Sequence, residues 1–267
     1  MSWSVANALA VTVGGDFGRV QFTPDLLPSD VVGTSVWNQH EGRFEFRAGP
    51  VFANVVLADE VNRSSPKTQS ALLEAMAEQQ VTTDGVTRAL PRPFMVLATQ
   101  NPLEYHGTYP LPESQLDRFL LKVSIGYPAR ADEALILDTE GSHPALATLR
   151  PVVGPAHVNA MADHCRRVHV SRALTDYLLD LAAATRSHRS LSLGMSTRAT
   201  LGLQRAAQVR AAAQSRDYAI ADDVKALALP ILAHRLVVAP EAQIQSVDAT
   251  AVLTEILATV PVPGDGA

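Results

Sequence analysis

Lysine is scarce in this sequence. Only three occur among its 22 cationic residues, and none follows a glycine. A glycine-rich loop ending in Gly-Lys, a common grip on nucleotide phosphates, is therefore not found in these 267 residues. Cysteine is nearly missing too. Cys165 stands alone, so no internal disulfide can form, which fits a reducing cytoplasm. No apolar run reaches the length of a membrane span, and the opening "MSWSVANALAVTVGG" lacks the cationic flank of a signal peptide. Aromatics make up 5% of the chain, so aliphatic residues and alanine must build its core. The formal charge of −5 argues against the basic footprint of a duplex-binding domain. The eight histidines show no metal-ligand spacing with one another or with Cys165, and no Gly-x-Ser-x-Gly occurs.

What remains is rich in pattern. Residues 4–13 read as a helix stopped by Gly14–Gly15, and "GRVQF" alternates like a strand. "GRFEFRAGPVF" alternates Phe44 and Phe46 with charged residues, a half-buried strand pattern. "NVVLA" (54–58) is apolar throughout, which suits the middle of a parallel sheet covered on both faces. Ser65 and Pro66 open a helix whose Leu72, Leu73 and Met76 share a face. "VTTDGVTRAL" is a hairpin about Asp84–Gly85. "PFMVLATQ" is a second buried strand, Pro112 starts a short helix, and "FLLKVSI" reads as a third strand. The composition shifts near Tyr127–Pro128. Beyond it come helical candidates at 130–139, 157–167, 196–214 and 221–236, a long helix capped by Ser171, and no convincing strand. The expected architecture is a three-layer α/β domain with a largely parallel sheet over 1–127, a small all-α domain over 128–250 and a tail over 251–267.

Several residues admit a functional and an ordinary reading side by side. Asp59 and Glu60 end the apolar strand, where an aspartate can hold Mg²⁺ and a glutamate can polarise water. They can equally be acids favoured by a following helix dipole. Asn101 closes the next strand, either positioning a water beside a phosphate or making an Asn-Pro turn. Arg118 can pair with Asp117 or Glu113 on the surface, or reach a neighbouring subunit's nucleotide. Arg198 opens a helix that Ser196 or Thr197 can cap, and is either solvated or a phosphate sensor. His234–Arg235 can be explained by a nearby helix end.

Taken in order, "RVQFTPDLLPSDVVGT", "FRAGPVFANVVLADEVNRSSPKTQSALLEAMAEQQV", "LATQNPLEYHGTYPLPESQLDRFLLKV" and "LSLGMSTRATL" resemble the MoxR family of AAA+ ATPases over roughly residues 5 to 240. The resemblance implies an AAA+ core plus lid, with ATP and Mg²⁺ as cofactors. It implies Walker B acids at Asp59 and Glu60, with Asp59 toward the metal. It implies sensor 1 at Asn101, an arginine finger at Arg118 and sensor 2 at Arg198. Arg63 is a second candidate for reaching across an interface. Hairpins at Arg43–Phe52 and Val81–Leu90 match inserts that line the pore in related rings. A homo-hexamer acting as a chaperone on protein clients, with a von Willebrand A domain partner, is implied as well.

The family's Gly-x-x-x-x-Gly-Lys-Thr/Ser loop would precede the helix at 4–13, and no such loop is present. Gly14, Gly15 and Gly18 follow that helix and cannot replace it. Without those amides and that lysine, ATP affinity and hydrolysis should fall by orders of magnitude. One expectation is an N-terminally shortened ATPase. Another is an inactive ring subunit or interaction module that donates Arg118 to an intact neighbour. A third is a magnesium-chelatase or helicase-like motor, against which the acidic balance weighs.

Overall fold

The apolar run at Asn54–Ala58 has no polar alternation because it falls on a central strand with a neighbour on each edge and is buried throughout. A computed structural model describes residues 2–100, 109–138, 146 and 148–262. In it β1 (Phe17–Gln21), β4 (Val55–Asp59) and β7 (Met95–Ala98) form a parallel sheet in the order β1-β4-β7. Val55 to Ala58 of the central β4 are all buried. Helix α1 (Ser2–Thr12) buries Ala6 and Ala10 and packs on β1 and β4. Gly18 is required on β1, since a Cβ there would lie 2.3 Å from the carbonyl oxygen of Pro50.

After β4 the chain makes one short 3₁₀ turn, Val61–Arg63, before α3 (Pro66–Glu78). Ser65 caps α3 by accepting the Thr68 N–H, with Pro66 at the first helical position, as the sequence indicates. The buried Gln69 amide donates to the carbonyls of Val61, Ser64 and Tyr109, which fixes this turn to the helix. The Asp84–Gly85 hairpin forms as expected between β5 (Gln80–Thr83) and β6 (Val86–Ala89), with φ of 54° and 74° at the two turn residues.

The chain forms two compact units, Met1–Leu111 with Gly126–Asn159, and Pro112–Ile125 with Ala160–Ala267. The second is built on Leu174, Tyr177, Leu178 and Leu181 of α7 (Arg172–Ser187), with residues of α8 (Thr197–Ala213) and α9 (Ala221–Leu232). Ser171 and Ser196 cap α7 and α8. No helix among the described residues is long and apolar enough to cross a membrane.

Six expectations need correction. The hairpin placed at Arg43–Phe52 lies earlier, between β2 (Gly33–Asn38) and β3 (Arg43–Ala48). The flanking prolines and Gly33 mask β2 in the sequence, although Thr34, Val36 and Trp37 suit a strand. Phe44 is 68% exposed and packs edge-on against Trp37, so the alternation on β3 does not mark burial of both phenylalanines. β7 is only partly buried, because it has a strand neighbour on one side alone among the described residues. Phe119–Ile125 forms no strand. Its apolar residues lie in irregular chain, and the Lys122 N–H donates to the Pro230 carbonyl of α9. A short apolar run cannot separate a strand from a segment laid on helices. The helical unit also carries a small antiparallel pair, β8 (Leu191–Leu193) with β9 (Val237–Val238). Residues assigned to the tail form α11 (Ala249–Thr259), which buries Val252, Leu253 and Ile256.

Candidate active site

Asp59 is the last residue of the central strand, and its carboxylate is gripped from both sides. Thr99, just beyond β7, donates its hydroxyl to Asp59 Oδ1 at 2.6 Å. Arg19 of β1 reaches Asp59 Oδ2 at 3.0 Å. The parallel register makes this possible, since Gln21 pairs with Asp59 and Ala58 pairs with Ala98. Strand tips from three neighbours thus meet at the carboxyl edge of the sheet, the usual ligand edge of α/β folds.

Glu60 adopts the left-handed conformation, with φ 56° and ψ 49°. Its N–H donates to Thr99 Oγ1 at 2.9 Å. Its Oε2 accepts from Gln21 Nε2 at 2.8 Å and from Arg63 Nη1 at 2.9 Å. Oε1 makes no hydrogen bond among the described residues, and the Glu60 side chain is 25% exposed. The helix-dipole reading of the two acids fails here. A three-residue 3₁₀ turn follows them, and α3 begins only at Pro66 under its own cap.

The carboxylate of Asp59 fits a magnesium ion held mainly by phosphate oxygens and water. Each of its oxygens keeps acceptor capacity beyond the one bond it has. No cluster of three or more His, Cys, Asp or Glu able to hold a metal occurs among the described residues. A single protein carboxylate with substrate ligands is ordinary for Mg²⁺.

The other candidates lie elsewhere. Asn101 is outside the described residues. Arg63 pairs with Glu60 at 2.9 Å, with its side chain 40% exposed. Arg118 and Arg198 are exposed and belong to the helical unit. Asp117, next to Arg118, is bound within the same unit. It accepts the Ser196 hydroxyl and faces Arg235. A cavity of about 490 Å³ in this unit is lined by Glu113, Asp117, Arg186, Ser196, Thr197 and Arg235.

Sequence reasoning missed Thr99, Gln21 and Arg19. Thr99 and Gln21 carry a signal in retrospect, being polar residues at the tips of apolar strands. Arg19 carries none beyond its alternation. It also missed Arg235, which is buried at 6% exposure and not a solvated helix-end cation.

A family model described as ATPase family associated with various cellular activities (AAA) matches residues 2–121, and one described as AAA lid domain matches residues 183–256. The chain is 48% identical over 260 residues to the Bacillus subtilis protein YeaC, covering 97% of this chain and 81% of that one. It is 40% identical over 273 residues to chaperone MoxR1 of Mycobacterium tuberculosis, covering 97% and 72%. It is 30% identical over 286 residues to protein MoxR of Paracoccus denitrificans, covering 97% and 84%. A crystal structure of a Cytophaga hutchinsonii protein superposes with a TM-score of 0.91 at 40% identity, covering 98% of this chain and 82% of that one. The parallel sheet, the helical unit and these relatives agree on a three-layer α/β AAA+ fold with a helical lid, and the chain belongs to the MoxR family of AAA+ ATPases.

Proposed function

We propose that this protein hydrolyses ATP as a subunit of a hexameric ring and uses that cycle for chaperone-like remodelling or maturation of protein complexes. One observation carries the reading: Asp59 and Glu60 sit together at the tip of the central strand, each held by side chains of the flanking elements. Magnesium, when bound, would neutralise phosphate charge, and Asp59 is the residue that would hold it. Glu60 presents Oε1 to a water and accepts its proton as general base. Gln21 and Arg63 hold Oε2, which orients the carboxylate and restrains it. Asn101 positions the same water. Arg118 serves a neighbour's nucleotide as arginine finger, and Arg198 senses the phosphate from the lid. The name of one relative, chaperone MoxR1, supports the remodelling role. A von Willebrand A domain protein is the proposed partner, and the cytoplasm the proposed compartment.

The same residues support a second reading. In it the chain is a ring subunit that donates Arg118 to an intact neighbour and does not itself hydrolyse ATP. Two measurements on the purified chain separate the readings. One is Mg²⁺-dependent phosphate release by the wild type and by Glu60→Gln, and the other is equilibrium dialysis with labelled ATP. The ATPase reading expects turnover that Glu60→Gln lowers about 100-fold or more while binding persists. A wild type that neither binds nor hydrolyses ATP would sink it and leave the second reading.

A further inference from the structure

Arg235 follows α9, in a position where an arginine would normally reach water, yet it is 6% exposed. Its guanidinium is engaged on separate sides. Nη2 donates to the Phe119 carbonyl and, at 3.2 Å, to the Leu120 carbonyl. Nη1 lies 3.4 Å from Asp117 Oδ1, an ion pair without a hydrogen bond. The adjacent His234 Nε2 lies 3.1 Å from the same Phe119 carbonyl and donates to it as the Nε2–H tautomer. Asp117 in turn accepts the Ser196 hydroxyl at 3.0 and 3.1 Å, and Ser196 Oγ accepts the Ala199 N–H at 3.1 Å as the cap of α8. Hydrogen bonds and one ion pair therefore link the residues on either side of Arg118 to the first turn of the helix that carries Arg198.

Residues 117–125 lie outside any helix or strand, and the Asp117, Arg118 and Phe119 N–H groups reach only the carbonyls of Glu113, Gln115 and Leu116 in the preceding turn. The Lys122 N–H bond to Pro230 is their backbone tie to α9. Burial lowers the Arg235 pKa and Asp117 opposes that shift, as expected of a cation kept inside by its partners. Lysine could not replace it, because a single ammonium cannot span two carbonyls and a carboxylate as the planar fork does. A cation serving only the helix dipole would need neither the burial nor these partners.

We propose that Arg235 is a positioning residue that fixes the Asp117–Lys122 segment, and with it Arg118, to the N-terminal end of the helix bearing Arg198. Its mechanistic meaning rests on the roles given to Arg118 and Arg198 under Proposed function. If both face nucleotide, movement of this unit carries them together. The arginine offered to a neighbouring subunit is then set by the state of the subunit's own lid.

Amide hydrogen exchange on the full chain tests the mechanical part without ATP. Arg235→Met, Arg235→Lys and Asp117→Asn are compared with wild type. The amides of Arg118, Phe119 and Lys122 should exchange about tenfold faster or more in each, while α7 and the interior of α8 stay protected. If Arg235→Met does not fold, the two milder variants decide. Unchanged exchange across 117–122 in folded Arg235→Lys and Asp117→Asn overturns the proposal. The coupling is read by ATP turnover in a cycle of Arg235→Lys, Arg118→Ala and the double variant. Arg235→Lys should lower kcat with little change in KM, and cost nothing further once Arg118 is gone. Equal fold-losses in both backgrounds overturn the coupling. A wild type with no turnover refutes the proposed function instead, and the exchange result still decides whether Arg235 positions the segment.

Discussion

Thr99 offers the sharpest test of how the candidate site is held. Its hydroxyl donates to Asp59 Oδ1 at 2.6 Å and accepts the Glu60 N–H at 2.9 Å, so one oxygen orders both acids. Thr99→Val keeps the branched shape and removes only that oxygen's bonding. A bond to a charged group contributes about 1.5–3 kcal/mol and a neutral one about 0.5–1.5 kcal/mol. The Asp59 side chain is 16% exposed, so water can replace part of the lost bond. The expected loss is about 2–3 kcal/mol. Urea unfolding followed by tryptophan fluorescence measures it, since Trp3 and Trp37 are the only tryptophans and both lie in the first unit. With a urea slope of about 2 kcal/mol/M, the midpoint should fall by about 1 M. Thr99→Ser keeps the hydroxyl and should lose no more than about 1 kcal/mol. Equal midpoints for the valine and serine variants would show that the hydroxyl is not what holds the strand tips.

Other expectations come from different parts of the molecule. Asp223 is 1% exposed, receives two bonds from Arg216 at 2.6 and 2.8 Å, and caps α9 through the Ile220 N–H. Asp223→Ala leaves cations facing a buried void and should cost about 3–5 kcal/mol, lowering the melting temperature by at least about 6 °C by circular dichroism. A drop of a degree or two would contradict the pairing. Gly18→Ala drives a Cβ into the Pro50 carbonyl and should cost about 1–3 kcal/mol in the same urea titration. Wild-type stability would mean the Pro50–Ala53 loop moves freely. Burial holds the His234 pKa below its ordinary value of 6.5, against the raising effect of the Phe119 carbonyl. Between that lowered pKa and about 6.5 the unfolded chain binds more protons than the folded one. Stability therefore rises with pH through this window and is lost on acidification. Melting temperatures across pH 5.5–7.5 should fall less steeply toward acid for His234→Gln than for wild type, and identical slopes would refute the assignment.

Local chemistry was legible and the meeting of distant segments was not. Val55–Ala58 announces a doubly covered strand because parallel neighbours remove any polar face, and Asp84–Gly85 announces its turn because both residues tolerate positive φ. Ser65, Ser171 and Ser196 read as caps because a cap is decided within four residues. Phe119–Ile125 misled for the opposite reason. Its backbone is held by groups more than a hundred positions away, in Pro230 and Arg235, while Leu120, Leu121, Val123 and Ile125 stay exposed. Asp59 and Glu60 show where this limit bears on function. From sequence, the dipole reading and the catalytic reading differ only in what lies across the sheet, and that is Arg19, Gln21 and Thr99, each about 40 positions away. A left-handed Glu60 costs about 1 kcal/mol or more and persists only where the surroundings dictate it. Acids placed merely to serve a helix would sit at its cap in relaxed backbone. These two sit before a three-residue turn, one of them strained and both held by side chains of neighbouring elements. Strain held in that way is what a site needs and a cap does not, and it favours the catalytic reading on grounds independent of family resemblance.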